Sequence, residues 1–218
     1  MGRVCVSIGE KGYPACSRAL KSVDFAEIRL DKTGLDTKAT ERLFSLAKAS
    51  GIQLIATCRP DGGMDMAARS NLLSAAMKAG AAFVDVEVES PHAYREYITR
   101  RAKAAGCKII VSYHDYRMTP ETAVLKETVE RCFRCGADIA KIACMAREDR
   151  DSVRLLSLLD DARQIVVIGM GQNGKITRVA APLLGSPFTF ASASAGKETA
   201  AGQIDKATLE SMHRVIES

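Results

Sequence analysis

Residues 108–143 read KIIVSYHDYRMTPETAVLKETVERCFRCGADIAKIA. The stretch opens on an apolar, β-branched run, Lys108–Tyr113, of strand length. Pro120–Cys135 then follows a helical period, and Gly136 supplies a helix stop. A second apolar run, Asp138–Ala143, completes a strand–helix–strand unit.

The same unit repeats in both directions. Further strands are expected at Arg3–Ile8, Phe25–Leu30, Gln53–Cys58, Ala82–Val88, Gln164–Gly169 and Pro187–Ala191. Helices are expected at Thr37–Ala49, Ala67–Ala79, Ala93–Ala105, Arg147–Asp160, Thr177–Leu184 and Lys206–Glu217. Gly51, Gly80 and Gly106 stand where Gly136 does, after a helix and before a strand. Ser90-Pro91 and Thr119-Pro120 have the form of an N-cap followed by proline at the first helical position. The strands are almost wholly apolar, as parallel strands covered on both faces must be. Eight such units with no break in composition predict an α/β fold, a single-domain (β/α)8 TIM barrel over residues 1–218. A doubly wound open sheet is the alternative.

Composition sets limits on function. The chain has 218 residues, 47% hydrophobic and 26% charged, with a net charge of +5. A barrel needs roughly 200–250 residues. No apolar run approaches the roughly 18 residues of a membrane span, and the N-terminus has no signal-peptide pattern. A cytoplasmic protein is expected, with no membrane partner. The basic residues are spread along the chain without interleaved aromatics, which argues against a nucleic-acid partner and suits a small anionic substrate. The 7 cysteines form no framework. Only Cys132 and Cys135 are closely spaced, at the end of a helix rather than its start, where a redox pair gains its low pKa.

Ile165–Gly169 followed by Met-Gly171-Gln-Asn-Gly174 has the form of a dinucleotide fingerprint. The next strand, Pro187–Ala191, lacks the acid expected about 20 residues on. A tight loop or a close approach of backbone to substrate is the simpler reading.

Barrel chemistry sits at the C-terminal ends of strands. Here those ends carry Ser7, Glu27, Arg29, Arg59, Glu87, His114, Lys141 and Gly169–Gly171. Charges in apolar strands are unexpected for packing alone. Lys141, flanked by Ala140 and Ile142, would be desolvated, and cations such as Arg29 or Arg178 would also favour its neutral amine. A neutral amine attacks carbonyls to form a Schiff base, whereas a lysine snorkelling out of the strand end would be structural. His114, one strand earlier, is placed for proton transfer or for a structural hydrogen bond. His92 and His213 lie in helices and read as surface or packing residues. Arg29, Arg59 and Arg178 could hold an anion through paired N–H donors, or pair with Glu27, Asp85 or Glu87.

Together, Glu27-Ile-Arg29-Leu-Asp31, Thr57-Cys-Arg59, Asp85-Val-Glu87, Val111-Ser-Tyr-His114-Asp115, Ala137-Asp-Ile-Ala-Lys141, Gly169-Met-Gly171, Thr177-Arg178 and Gly202-Gln203 form an ordered set. It runs from Cys5-Val-Ser7 to Gln203. The set resembles the type I 3-dehydroquinate dehydratase family. The resemblance implies a homodimeric lyase of the shikimate pathway with neither metal nor cofactor. It would convert 3-dehydroquinate to 3-dehydroshikimate by syn elimination. Lys141 would form the imine at C3, and His114 would take the C2 proton and return one to the departing hydroxyl. Glu27 would support the polar site near His114, and Arg178 would hold the substrate carboxylate. Arg29, Arg59 and Gln203 would bind hydroxyls, with Ser7 and Thr199 as further contacts. The loop 197–203 would close over substrate and exclude water.

Two positions depart from the family pattern. Asp61-Gly62-Gly63 stands where many members have Glu-Gly-Gly, and Thr199-Ala-Ala-Gly202-Gln203 replaces Ser-Ala-Pro-Gly-Gln. The competing readings are a class I aldolase, for which no phosphate clamp is visible, and a non-catalytic barrel that binds small anions.

Overall fold

In a computed structural model of the chain, residues 3–218 are described. The strands are β1 (Arg3–Ile8), β2 (Phe25–Arg29), β3 (Gln53–Thr57), β4 (Phe83–Glu87), β5 (Lys108–Asp115), β6 (Ile139–Met145), β7 (Ile165–Met170) and β8 (Phe188–Ala191). The α-helices are α1 (Tyr13–Ala19), α2 (Leu30–Thr33), α3 (Thr37–Ala49), α4 (Met66–Lys78), α5 (His92–Ala104), α6 (Thr122–Arg134), α7 (Asp149–Leu156), α8 (Lys175–Leu183) and α9 (Lys206–Glu217). The strand order is β7-β6-β5-β4-β3-β2-β1-β8. The end strands β7 and β8 are themselves in contact. All expected strands form, and the alternative of an open, doubly wound sheet is removed. Among the described residues no helix is long and apolar enough to cross a membrane.

The chain divides into two compact units. Residues 7–110 contain β2, β3 and β4, paired in parallel with Glu27 beside Ile55, Arg29 beside Thr57 and Thr57 beside Asp85. Residues 3–6 and 111–218 contain β6, β7 and β8. There Lys141 lies beside Val166, and β1 pairs with β8 from Arg3 beside Phe188 onward. Strand interiors are buried almost without exception, each buried Val, Ile or Leu contributing about 1.5–3 kcal/mol. Gly51, Gly80, Gly106 and Gly136 all have positive φ, which explains why glycine ends those helices.

Several helix starts differ from expectation. The N-cap position of α5 is Pro91 rather than Ser90, because Ser90 is taken into a turn on Glu87. The helix α6 begins two residues past Pro120. Thr119 does not cap it but donates its hydroxyl to the Met145 carbonyl. The helix α7 is shorter than Arg147–Asp160, since Asp151 takes the Arg147 and Glu148 N–H groups and a single 3₁₀ turn, Ser157–Leu159, follows. Both α1 and the one-turn α2 were unexpected. They bury too few apolar side chains to show a helical period.

None of the 7 cysteines is in a disulfide, and only Cys135 is not buried. Burial pushes the Cys16 and Cys58 thiols up to about 11. An alkylating reagent at neutral pH should modify Cys135 in the native protein and every cysteine in urea. Mass spectrometry would read this, and equal native labelling of Cys132 would show that α6 opens readily.

Candidate active site

Within residues 7–110, strand register builds two polar clusters. Glu27 points from the middle of β2 and is buried. Its carboxylate accepts the Ser7 hydroxyl at 2.6 Å and the Thr57 hydroxyl at 2.8 Å. Arg59, just past β3, forks onto Asp85 with both contacts at 2.9 Å and reaches Glu87 at 3.3 Å. Burial works against the Arg59 charge, but Asp85, Glu87 and Glu27 outweigh it and raise its pKa. The Glu87 carboxyl is raised by burial, which Arg59 opposes and Asp85 and Asp61 reinforce. Arg29 forks onto Asp31, at 3.0 and 2.7 Å. Its Nη1 has no partner among the described residues. Asp31 also accepts the Arg59 backbone N–H at 3.2 Å.

The other unit carries the remaining candidates. Lys141 is the third residue of β6, buried to 5% exposure, with Nζ 4.1 Å from the centroid of the Phe190 ring. Arg178, on α8, is 1% exposed. Its guanidinium donates to the Phe190 carbonyl at 3.1 Å and the Ala201 carbonyl at 3.3 Å. Among the described residues no carboxylate pairs with Arg178, and its Nε has no hydrogen-bond partner. Burial alone lowers the guanidinium to about 10. A buried lysine and a buried arginine therefore flank one residue, Phe190. His114, near the end of β5, is half-buried and stacks on Tyr116, with ring centroids 5.9 Å apart and 17° between planes. Thr199 and Gln203 bind each other: the Thr199 N–H reaches Gln203 Oε1 at 2.7 Å, and Gln203 Nε2 reaches the Thr199 hydroxyl at 3.2 Å.

The glycine-rich loop after β7 is packed backbone on backbone. A Cβ on Gly174 would lie 2.2 Å from the Gly169 carbonyl carbon. Thr177 fixes the same loop, accepting the Gly169 N–H and donating to the Gly174 carbonyl, each at 2.7 Å. Gly202 lies against Gly171, where a Cβ would sit 2.4 Å from the Gly171 oxygen. The fingerprint-like spacing is thus a tight strand–helix loop, as the missing acid implied. His92 is exposed and His213 fully buried against the Val179 carbonyl, as read from their helices.

Sequence reasoning missed Phe190, Thr57 and Asp31. Thr57 was detectable as a polar residue in an apolar strand. Asp31 lay inside a quoted motif without a role. Phe190 carries no such signal, because an aromatic residue in a strand reads as packing. Among the described residues no group of three or more His, Cys, Asp or Glu side chains could hold a metal ion.

Fold and chemistry define the class as a (β/α)8-barrel enzyme. Residues 4–218 match the family model described as type I 3-dehydroquinase. A 3-dehydroquinate dehydratase of Methanococcus vannielii is 36% identical over 214 residues, covering 95% of each chain. Among solved structures, the 3-dehydroquinate dehydratase of Geobacillus kaustophilus superposes with a TM-score of 0.88 at 24% identity. It covers 100% of this chain and 91% of that one. The type I enzyme of Clostridium difficile, solved with covalently modified comenic acid, gives 0.86 at 25% identity, with 99% and 93% coverage. The chain belongs to the type I 3-dehydroquinase family, whose members are carbon–oxygen hydro-lyases.

Proposed function

We propose that this chain dehydrates 3-dehydroquinate to 3-dehydroshikimate through an imine on Lys141. The observation that carries the reading is the buried Lys141 and Arg178 side chains about Phe190. A buried guanidinium with no carboxylate partner calls for an anion. A buried amine nearby calls for a carbonyl. The substrate supplies both, its ketone at C3 lying two ring bonds from C1, which bears the carboxylate. The covalently modified ligand of the Clostridium difficile relative supports a covalent route.

The Lys141 amine adds to C3, and loss of water gives the protonated imine. His114 takes a proton from C2, and the iminium nitrogen absorbs the electron pair, giving an enamine. The pair returns, the C1–O bond breaks, and His114 returns a proton so that the hydroxyl leaves as water. Hydrolysis of the imine frees the product and restores Lys141. Arg178 holds the carboxylate, and Arg29, with an unspent Nη1, binds a hydroxyl. Arg59 is fixed by Asp85 and Glu87, and Glu27 by Ser7 and Thr57. These six residues keep a fixed polar arrangement that costs no reorganisation during reaction. Gln203 and Thr199 exchange their mutual bonds for substrate hydroxyls as residues 197–203 close. All 218 residues form one catalytic domain on this reading.

His114→Ala should slow turnover by about 10²–10⁴-fold while borohydride still traps the substrate on Lys141. Steady-state kinetics with 3-dehydroquinate tests this, and unchanged turnover would remove His114 from proton transfer.

A further inference from the structure

The turn that follows His114 is tied to the strand that carries Lys141. Asp115 closes it from within, one carboxylate oxygen accepting the Arg117 N–H at 2.8 Å and the Met118 N–H at 3.1 Å. Thr119, 2% exposed, then donates its hydroxyl to the carbonyl of Met145, the last residue of β6, at 2.9 Å. A second tie comes from Arg147, just past β6, whose Nε donates to the Arg117 carbonyl at 2.6 Å. Inside this closed turn sits Tyr116. It is 56% exposed, unusual for a large aromatic ring, and presents a face to the His114 imidazole.

We infer that residues 115–119 form a positioning clamp, in which Tyr116 orients the His114 ring and Thr119 fixes the turn to the Lys141 strand. This rests on the proposed function, since it concerns the alignment of the proton-transfer group with the imine. Proton transfer needs the imidazole within hydrogen-bond reach of C2, and an error of about 1 Å can cost 100-fold. His114 and Lys141 sit on different strands, so their relative placement depends on whatever joins the strand ends. The χ2 of an imidazole is a broad, soft torsion, so the ring's orientation depends on what packs against it. A stacked ring at 5.9 Å restricts that rotation, and the distance lies within the ordinary range for aromatic pairs. Arg117, Met118 and Thr119 bind backbone or carboxylate groups of the turn and of β6, so their bonds serve its shape.

Four variants test the clamp. Thr119→Val removes the hydroxyl at nearly constant volume, and Thr119→Ser restores it. Tyr116→Ala removes the platform at an exposed site and therefore leaves folding intact. We expect kcat to fall about tenfold in Thr119→Val and Tyr116→Ala, with KM within about twofold of the parent. Borohydride trapping on Lys141 should stay at the parent level, and Thr119→Ser and Tyr116→Phe should recover kcat. The imidazole nitrogen resonances of His114 should broaden in Thr119→Val and Tyr116→Ala but not in the conservative variants. Unchanged kcat and unchanged resonances would overturn the clamp, as would a parallel loss of imine trapping. The resonances are read without substrate. A parent protein inactive on 3-dehydroquinate would refute the functional reading, while the spectra would still judge the clamp.

Discussion

Lys141→Ala will abolish turnover of 3-dehydroquinate while substrate binding stays measurable. In the parent protein, borohydride added with substrate will leave one reduced adduct, located by mass spectrometry on the peptide containing Lys141. The expected loss is larger than for any other substitution, because every later step uses the iminium nitrogen as the electron sink. Without it, the C2 proton must leave a simple ketone, and His114 alone cannot supply the missing stabilisation. Lys141→Arg keeps the charge and tests this directly: a guanidinium stays protonated and is not a nucleophile, so it should be as inactive as alanine. Turnover retained in either variant, or an adduct on a different lysine, would end the imine proposal.

The second large effect concerns Arg178, and its sign differs between two measurements. Arg178→Met should reduce kcat/KM by about 10³-fold or more, since removing the partner of a desolvated charged group costs about 3–5 kcal/mol. The same substitution should leave the unliganded protein as stable as the parent, or stabilise it by about 1–2 kcal/mol. The reason is the buried guanidinium, which has two carbonyl partners and no carboxylate among the described residues. Losing those bonds costs about 1 kcal/mol each, whereas removing an uncompensated buried charge returns several. For a domain of this size the gain is a rise of about 2–8 °C in Tm. Substrate should raise the Tm of the parent but not of the variant. A variant several kcal/mol less stable would mean that Arg178 is structural cement and that the carboxylate is held elsewhere.

Much of this was readable in the residues themselves. Strand positions followed from apolar runs such as Gln164–Gly169, because a strand covered on both faces leaves little else to encode. Helix ends followed from glycines with positive φ. Lys141, His114 and Arg29 stood out because a polar or charged group in an apolar strand is expensive, and Arg59 because it follows one directly. The partners of those charges were harder to read. Arg29 and Arg59 are equivalent in sequence, each following a strand interior, yet one forks onto its near neighbour Asp31 and the other onto Asp85 of the next strand. Register decides that, and register is a property of pairing, not of a strand alone. Arg178 is the reverse case. Its lack of a carboxylate partner depends on everything around it, so no local pattern could announce it. Thr119 misled for a related reason. A threonine before proline reads as a cap, but its hydroxyl finds a carbonyl on another strand.

The contact between Gly171 and Gly202 limits how this scaffold can be changed. Two main chains meet there with no side chain between them, and even one methyl group on Gly202 would fall 2.4 Å from the Gly171 oxygen. Gly202 also has φ of +75°, a conformation that side chains resist. Neither residue can be diversified without moving a loop bodily. A laboratory search for variants that accept bulkier acids should therefore spare this pair and draw its diversity from Ala201, where the chain already departs from the family pattern.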